Sequence, residues 1–416
     1  MNSAAVTEAT PREALLEQAA RLSRRFGEDP QFSRAGGGNS SVKDRGTLFI
    51  KPSGVSLASM TPERLMPLAL SPLLALADDP ASPTPPGSEA VMRVAMAARL
   101  RDEGDRRPSV ECVFHALIPR RFVIHTHPTI VNALTCARDG EALAAEVFGP
   151  EVLWIPYVDP GLPLAREIDR RRATRVAGVA SRRPTDARTA AEPTEVIVLE
   201  SHGLIVAGED PAAILERSEA VVETIRDLIA RRAADASSPL TVAPLDNGLV
   251  DRVAKALAVL LGTAASPRSI AFGHTPEAYR LASTTEGRAL VAGGPLMPDQ
   301  IVYAGSWPLW LDLDADATRD GVSLESAVSD ALSRHRHATG EAPIVVILAG
   351  AGVFASGSAP AQAQTALELY LDATRVAIGA LALGGVRPLT APERRFIETW
   401  EAEAYRRAID PGAAAG

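Results

Sequence analysis

The stretch Phe122-Val123-Ile124-His125-Thr126-His127 decides how this chain can fold around a metal site. The apolar, β-favouring residues before the histidines predict a short strand. Side chains two residues apart on a strand point to the same face, so the imidazoles of His125 and His127 can converge on one ion. A second predicted strand, residues 196–202, ends at His202 and a glycine turn and supplies a third imidazole. Three neutral imidazoles with one open position are typical of catalytic zinc.

Length and charge narrow the class of protein. A chain of 416 residues is too long for one ordinary domain, which predicts two. Its net charge of −8, without a basic block, argues against nucleic-acid binding and against a polybasic membrane contact. Residues 1–11 lack an apolar signal core, and no apolar run reaches the roughly 18–20 residues of a spanning helix. We therefore expect a soluble, cytoplasmic protein.

Cysteine and lysine usage narrows the chemistry. Cys112 and Cys136 cannot build a disulfide framework and lack the C-x-x-C spacing of thiolate sites, so histidine and carboxylate must hold any metal. Lys43, Lys51 and Lys255 are the only lysines, which leaves few candidates for Schiff-base catalysis.

Hydrophobic periodicity divides the chain into two groups of elements. Helical spacing over residues 11–27 and 210–233 brackets the predicted metal-site strands. A polar stretch follows, so we predict a first domain at residues 1–233, a linker at 234–246 and a smaller α/β domain at 247–416. In the second domain, strands are predicted around residues 301–303 and over residues 344–348. No internal repeat is evident.

A second H-x-H pair, His335 and His337, provides a comparison within the same chain. It ends a segment with helical spacing, residues 323–337. Positions two apart on a helix point roughly 200° apart, so these imidazoles cannot easily share an ion. They fit a helix C-terminus, where cations are favoured.

Two glycine-rich turns are candidates for binding anions or nucleotides. Residues 36–41, Gly-Gly-Gly-Asn-Ser-Ser, with Ser53-Gly54, offer N–H groups and hydroxyls that can cradle phosphate or carboxylate. A tight hairpin entry explains the same residues equally well. Residues 350–355 formally match the G-x-G-x-x-A dinucleotide fingerprint. No helix opens directly after them and no full βαβ fold follows, so we do not predict a nucleotide site.

Glu111 is the candidate proton-transfer group. It lies near the start of a helix predicted to begin at Ser109, a good N-cap. Beside a metal this carboxylate can act as a general base or fourth ligand, and an acid stabilised by the helix dipole is the alternative. His115, four residues on, faces the same side of the helix. It can orient Glu111 or reach substrate, unless it is a core histidine bonded to backbone.

Taken in order, the motifs G-G-G-N-S-S-V-K, K-P-S-G, P-S-V-E, H-T-H-P and S-H-G-L-I resemble the class II aldolase/adducin family over roughly residues 12–232. The remainder is similar to the extension in the aldolase half of bifunctional rhamnulose-1-phosphate aldolase/alcohol dehydrogenases. The resemblance implies a three-layer α/β/α fold with a mostly antiparallel central sheet, followed by a smaller α/β domain. It also implies a homo-oligomer with a role in carbohydrate metabolism.

The resemblance further implies a zinc-dependent aldehyde-lyase. Zinc would be bound by His125, His127 and His202, and Glu111 would move a proton at the carbon beside the substrate carbonyl. The substrate would be a sugar phosphate, a rhamnulose-1-phosphate-like ketose, cleaved through a zinc-stabilised enediolate to dihydroxyacetone phosphate and an aldehyde. The implied site for the phosphate or another anion consists of Gly38, Asn39, Ser53, Gly54 and Ser109, with Lys51 as a further candidate.

Three departures from the small family aldolases leave the reaction open. Val110 replaces a phosphate-binding hydroxyl, Gly36 stands where threonine is often found, and no tyrosine lies between His127 and Trp154 to serve as the second acid. The alternative among enzymes is decarboxylation, epimerisation or dehydration of a phosphorylated sugar or sugar acid at the same zinc site. The alternative of another class is a non-catalytic adducin-like interaction module, against which the intact histidines and Glu111 argue.

Overall fold

The computed structural model of the protein describes residues 10–79, 88–180, 194–234, 242–314, 318 and 320–400. The chain groups into two compact units, Met1–Thr135 with Glu141–Arg226, and Cys136–Gly140 with Asp227–Gly416. Much of the predicted linker lies outside the described residues, and the domain limits of 1–233 and 247–416 stay a prediction. Among the described residues, the structure contains no helix with the length and apolar character of a membrane span.

The chain up to residue 234 contains seven strands and eight α-helices in its described part. The strands are β1 Asn39–Asp44, β2 Thr47–Ile50, β3 Met66–Ala69, β4 Phe122–Thr126, β5 Val152–Ile155, β6 Glu195–Leu199 and β7 Gly203–Gly208. The helices are α1 Pro11–Gly27, α2 Leu70–Asp78, α3 Ser88–Ala97, α4 Cys112–Leu117, α5 Thr129–Thr135, α6 Gly140–Phe148, α7 Leu162–Ala180 and α8 Pro211–Ala234.

The seven strands form one mixed sheet in the order β3-β2-β1-β4-β7-β6-β5. Five of the neighbouring pairs are antiparallel. Only β5 and β6 pair in parallel, because α7 returns the chain across the sheet between them. The predicted mostly antiparallel sheet is therefore confirmed, with one parallel pair at its edge.

The alternation of side chains along β1 assigns helices to the two faces of this sheet. Ser40 Oγ lies 2.7 Å from Ser23 Oγ of α1, whereas Ser41 Oγ lies 2.7 Å from His115 Nδ1 of α4. Neighbouring strand residues point to opposite faces, so α1 and α4 cover opposite sides. On the α4 side, a cluster of buried apolar residues joins the sheet to α2, α3, α4 and α7. The three-layer prediction is confirmed.

The second unit contains a smaller sheet. Its strands are β8 Ser269–Gly273, β9 Leu309–Leu311, β10 Val345–Leu348 and β11 Gly352–Gly357, in the order β8-β11-β10-β9. The helices of this part are α9 Asn247–Leu261, α10 Pro276–Ser283, α11 Thr285–Gly293, α12 Pro298–Ala304, α13 Gly321–Thr339, α14 Pro360–Ala382 and α15 Ala391–Thr399. The strand pair β9–β10 is parallel, and the other two pairs are antiparallel.

Two local predictions are wrong and one is confirmed. Residues 301–303 lie in α12 instead of a strand, because Pro298 in the first turn has the fixed φ that a helix start favours. The helix before β4 begins at Cys112, so Ser109 is not its N-cap. Ser109 Oγ instead accepts a hydrogen bond from the Glu111 backbone N–H at 3.3 Å, in a turn before the helix. The helical context of His335 and His337 is confirmed by α13.

Candidate metal centre

Three imidazoles meet at the end of β4. Nε2 of His125 lies 3.0 Å from Nε2 of His127 and 3.3 Å from Nε2 of His202. Of the residues that the structure describes, these three form the one group of histidine, cysteine or acidic side chains close enough to hold a metal ion. Ring nitrogens that face each other with lone pairs repel unless a cation or proton lies between them, so this arrangement favours a bound cation.

Backbone geometry brings each imidazole to this point. His127 follows directly after β4, and its N–H donates to the carbonyl of Phe32 at 3.1 Å. His202 lies in the short turn between β6 and β7, where Ser201 adopts a left-handed φ of 54°. A non-glycine residue in this region is strained, so the surrounding turn must hold it there. The carbonyl of Thr135 accepts from the Ser201 N–H at 3.1 Å and helps to do so.

Gly203 permits the close approach of β7 to the histidine strand. A Cβ at this position would lie 2.4 Å from the carbonyl oxygen of Thr126 and 2.9 Å from Cδ2 of His127. A side chain would therefore push β7 away from β4 and disturb the ligand positions.

The environment of His125 keeps its ring neutral and its Nε2 available to a cation. Its Nδ1 donates to the carbonyl of Leu204 at 3.0 Å, which leaves the lone pair of Nε2 directed to the cluster. Complete burial lowers the pKa of His125 to about 3, so the ring is uncharged at neutral pH. Three imidazoles without a thiolate fit a divalent ion such as zinc.

Glu111 lies beside the three imidazoles. Its Oε1 is 3.5 Å from Nε2 of His202, and its Oε2 is 3.7 Å from Nε2 of His125. The carboxylate is buried, and Asn39 Nδ2 donates to Oε2 at 2.5 Å. Register explains the position of Asn39, because it is the direct cross-strand partner of His125 in the β1–β4 pair.

A chain of buried polar groups fixes the orientation of the Asn39 amide. Its Oδ1 contacts Nε2 of His115, whose Nδ1 lies 2.7 Å from Ser41 Oγ. Because Nδ2 donates to a carboxylate, Oδ1 must accept, and His115 Nε2 must carry the proton. Burial holds the pKa of His115 well below its ordinary value, which agrees with a neutral ring. His115 is thus linked to Glu111 through the Asn39 amide. The second hydrogen-bond partner of its ring is the Ser41 hydroxyl on β1.

Two of the predicted anion-binding residues, Ser53 and Ser109, contact the segment that leads to Glu111 or Glu111 itself. Pro52 and Pro108 form an isolated bridge, and Ser53 Oγ donates to the carbonyl of Pro108 at 3.3 Å. Ser109 Oγ accepts from Asn39 Nδ2 at 3.3 Å and from the Glu111 N–H. Both oxygen contacts of Ser109 are acceptances, so its own hydroxyl hydrogen remains able to donate to an anion.

Gly38 and Lys51 support the surrounding turns. Gly38 has a φ of 73°, and a Cβ there would lie 2.6 Å from the carbonyl oxygen of His125, so glycine is required. Gly54 has a φ of 74°. The buried Lys51 ammonium donates to the carbonyl of Val55 at 2.6 Å and lies behind the Ser53-Gly54 turn.

Two contacts escaped the sequence reasoning. Ser41 was grouped with the anion-binding turn, whereas its hydroxyl contacts His115, and its position two residues after Asn39 on a predicted strand is the signal that could have identified this contact. The Leu204 carbonyl, which orients His125, has no signature in the sequence because it is a backbone group.

Comparison with protein families gives two adjoining matches. Residues 17–229 match the family described as class II aldolase and adducin N-terminal domain. Residues 248–406 match the family described as aldolase class II, second domain.

Individual relatives are distant. An uncharacterized oxidoreductase, YuxG, from Bacillus subtilis (strain 168) is 25% identical over 425 residues, covering 95% of this chain and 58% of that protein. The chain therefore spans little more than half the length of YuxG. A 3-oxo-tetronate 4-phosphate decarboxylase from Haemophilus influenzae is 27% identical over 205 residues, covering 47% of this chain and 78% of the relative. The solved N-terminal class II aldolase domain of a Thermoplasma acidophilum protein is 23% identical with a TM-score of 0.43, covering 55% of this chain and 99% of that domain.

Proposed function

The chain belongs to the class II aldolase and adducin family, and we propose that it is a zinc-dependent carbon–carbon lyase. Its proposed substrate is a phosphorylated ketose resembling rhamnulose 1-phosphate, and its proposed products are dihydroxyacetone phosphate and an aldehyde. The observation that carries the proposal is the position of the Glu111 carboxylate, 3.5 Å and 3.7 Å from two of the three clustered imidazoles. A carboxylate there can reach a substrate oriented by the metal.

Zinc bound by His125, His127 and His202 would act as a Lewis acid toward the carbonyl and hydroxyl oxygens of the substrate. Glu111 is proposed to accept a proton during C–C cleavage and return it to the carbon next to the carbonyl. The Asn39 amide would hold the carboxylate in one rotamer throughout. Because Asn39 and Glu111 are both buried, water has limited access to the proton in transit.

The phosphate is proposed to bind where the Ser53-Gly54 turn meets Ser109. The Ser109 hydroxyl can donate to a phosphate oxygen while its oxygen still accepts from the Glu111 N–H. Lys51 would contribute positive charge from behind the turn. One serine would thus connect the anion site to the proton-transfer residue. A homo-oligomer and a cytoplasmic location stay predictions.

Decarboxylation of a phosphorylated sugar acid is the second candidate. It also leaves negative charge beside a carbonyl, so it needs the same metal and the same proton transfer to carbon. It releases no aldehyde, so it needs no second group to take the proton from the hydroxyl that becomes the aldehyde, and the absence of a tyrosine between His127 and Trp154 favours it. The similarity to a 3-oxo-tetronate 4-phosphate decarboxylase also supports this alternative.

A product assay distinguishes the two candidates. Zinc-loaded protein would be incubated with a panel of ketose 1-phosphates and of phosphorylated 3-oxo sugar acids, with separate detection of aldehyde and carbon dioxide. Glu111→Gln is the matched variant, because it preserves the shape of the side chain but cannot accept the proton. We expect aldehyde release, reduced roughly 10²–10⁴-fold by Glu111→Gln.

Carbon dioxide without aldehyde would replace the aldolase proposal by the decarboxylase. A wild-type protein that binds zinc but turns over neither class of substrate would contradict both. Equal rates for the wild type and Glu111→Gln would show that Glu111 does not transfer the proton.

A further inference from the structure

We propose that the second unit repeats the metal-bearing half of the first and retains a dismantled metal site, in which His274 is the remaining imidazole. The equivalent positions of the other two ligands are Phe272 and Ala351. The proposal rests on the internal geometry of each unit and does not depend on which reaction the first unit catalyses.

The two sheets have the same order and directions. Four strands of the first sheet run β4-β7-β6-β5, and the second sheet runs β8-β11-β10-β9. In each, the first two pairs are antiparallel and the last pair is parallel. A long helix precedes the strand at the third position in each, α7 before β6 and α13 before β10. A long helix also follows each second strand, α8 after β7 and α14 after β11.

Strand register gives the same correspondence residue by residue. In the parallel pairs, Trp154 is paired with Val198, and Trp310 with Ile347. One residue further along, Ile155 is paired with Leu199 and Leu311 with Leu348. The same difference in residue number therefore separates each position of β6 from its equivalent in β10. This difference also separates β7 from β11, and it separates Pro211, which starts α8, from Pro360, which starts α14.

The turns before β7 and β11 make equivalent hydrogen bonds. Glu200 N–H donates to the carbonyl of Ile155 at 2.9 Å, and Ala349 N–H donates to that of Leu311 at 2.9 Å. The next residues, Ser201 and Gly350, both have a positive φ, of 54° and 73°. The N–H of Ser201 donates to the carbonyl of Thr135 in α5, and the N–H of Gly350 donates to the carbonyl of Ala282 in α10.

This equivalence explains the formal G-x-G-x-x-A motif at residues 350–355. Its first glycine occupies the left-handed position of a hairpin turn, and the chain continues into an antiparallel strand instead of a helix. The second glycine, Gly352, corresponds to Gly203. A Cβ on Gly352 would lie 2.4 Å from the carbonyl oxygen of Gly273, just as a Cβ on Gly203 would lie 2.4 Å from that of Thr126.

The same close approach locates the ligand positions. The Cβ built on Gly203 lies 3.3 Å from Cε1 of His125, and the Cβ built on Gly352 lies 3.0 Å from Cζ of Phe272. The Phe272 ring therefore occupies the place of the His125 imidazole. Cross-strand register agrees, because Phe272 pairs with the third residue of β11 and His125 pairs with the third residue of β7.

The remaining ligand positions follow from this one. His274 is two residues after Phe272, as His127 is two residues after His125. Ala351 directly precedes Gly352, as His202 directly precedes Gly203. Phenylalanine and alanine offer no ligand atom, and His274 Nδ1 donates to the carbonyl of Ala351 at 2.5 Å. The second unit thus retains the backbone of a three-histidine site with one imidazole.

The expectation that the chain has no internal repeat is corrected by this geometry. The repeated residues are mostly interchangeable aliphatic residues, and the conspicuous histidines are the ones that were replaced. Sequence periodicity could not detect them, whereas register and turn hydrogen bonds do.

Restoring the missing ligands tests the proposal. The double variant F272H/A351H would be loaded with zinc, desalted and analysed for zinc per chain beside the wild type. We expect one additional zinc per chain. The matched control A271H/A351H introduces as many imidazoles, but residue 271 points to the opposite face of β8 and should add no zinc.

A folded F272H/A351H protein with no more zinc than the wild type, or no more than the control, would overturn the proposal. Because the result is a difference from the wild type, it stays informative even if the first unit binds no zinc. Should F272H/A351H fail to fold, A351H alone leaves Phe272 in place. Excess zinc should then raise the Tm of A351H more than that of A351H/H274A, and equal shifts would contradict the repeat.

Discussion

Asn39 donates its side-chain amide to Oε2 of Glu111 at 2.5 Å, and the same residue pairs across the sheet with His125. One strand residue therefore joins the candidate base to the backbone of a candidate metal ligand. The arrangement predicts that Asn39 positions the carboxylate without itself holding the metal.

Replacing Asn39 by alanine should lower kcat by about 10²-fold, because a misplaced catalytic group loses most of its alignment. KM and bound zinc should change little, which a general loss of folding would not reproduce. Ser40→Ala is the control, since Ser40 faces α1 on the other side of the sheet. Loss of zinc in Asn39→Ala, measured by metal analysis, would contradict a positioning role.

Gly203→Ala should destabilise the first unit and weaken zinc binding. The added Cβ meets the backbone oxygen of Thr126 at 2.4 Å, a contact that only strand movement can relieve, at a cost of about 1–3 kcal/mol. Gly208→Ala on the same strand is the matched control, because its nearest neighbour, Ile214 Cγ1, lies at an ordinary 3.4 Å. Urea unfolding and zinc titration of both variants measure the difference, and equal effects would show that the close approach is unimportant.

His125→Ala should abolish stoichiometric zinc binding, because it removes the central ligand whose Nε2 lies near both other imidazoles. His337→Ala removes a histidine from the other H-x-H pair, at the end of α13, and should leave zinc content unchanged. Zinc is measured per chain after dialysis against excess metal. Retained zinc in His125→Ala would mean that the ion binds elsewhere.

How far the sequence predicted this fold depended on the length of the pattern. Helix α1 follows from helical spacing, because it buries one regular face. The Phe122–Thr126 strand is buried at every position and follows from its run of β-favouring apolar residues. Residues 301–303 misled the same reasoning, since three apolar residues fit a strand and a buried helix turn equally well. Pro298 was the available signal, and it decided in favour of a helix.

The convergence of His125 and His127 was predictable because H-x-H on a strand has one geometric outcome. The contacts that tune it were less accessible. Asn39 was assigned to an anion site, whereas in the structure it bridges His115 and Glu111. That bridge depends on strand register between β1 and β4, which residues far apart in the chain determine together. Pattern alone does not contain register, and for the same reason it did not reveal the repeat.

His115 should make the stability of the protein depend on pH. Its pKa in the folded state is held well below the ordinary value of 6.5 by burial, so below pH 6.5 the unfolded chain binds a proton that the folded chain does not. The neutral, buried state of His115 therefore contributes its full stabilisation above that pH. As pH falls below about 6.5, the free energy of unfolding decreases by roughly 1.4 kcal/mol per pH unit. His115→Gln removes the titration and should lose less stability than the wild type between neutral and mildly acidic pH.

The free energy of unfolding in urea at several pH values measures this difference. The wild type and His115→Gln share the other buried histidines, so the pH dependence that those residues add to the free energy of unfolding cancels in the comparison. His337→Gln removes an exposed histidine and should leave the slope of the wild type unchanged. Parallel slopes for the wild type and His115→Gln would mean that His115 is protonated in the folded state. Nε2 would still donate to Asn39, but Nδ1 could no longer accept from Ser41.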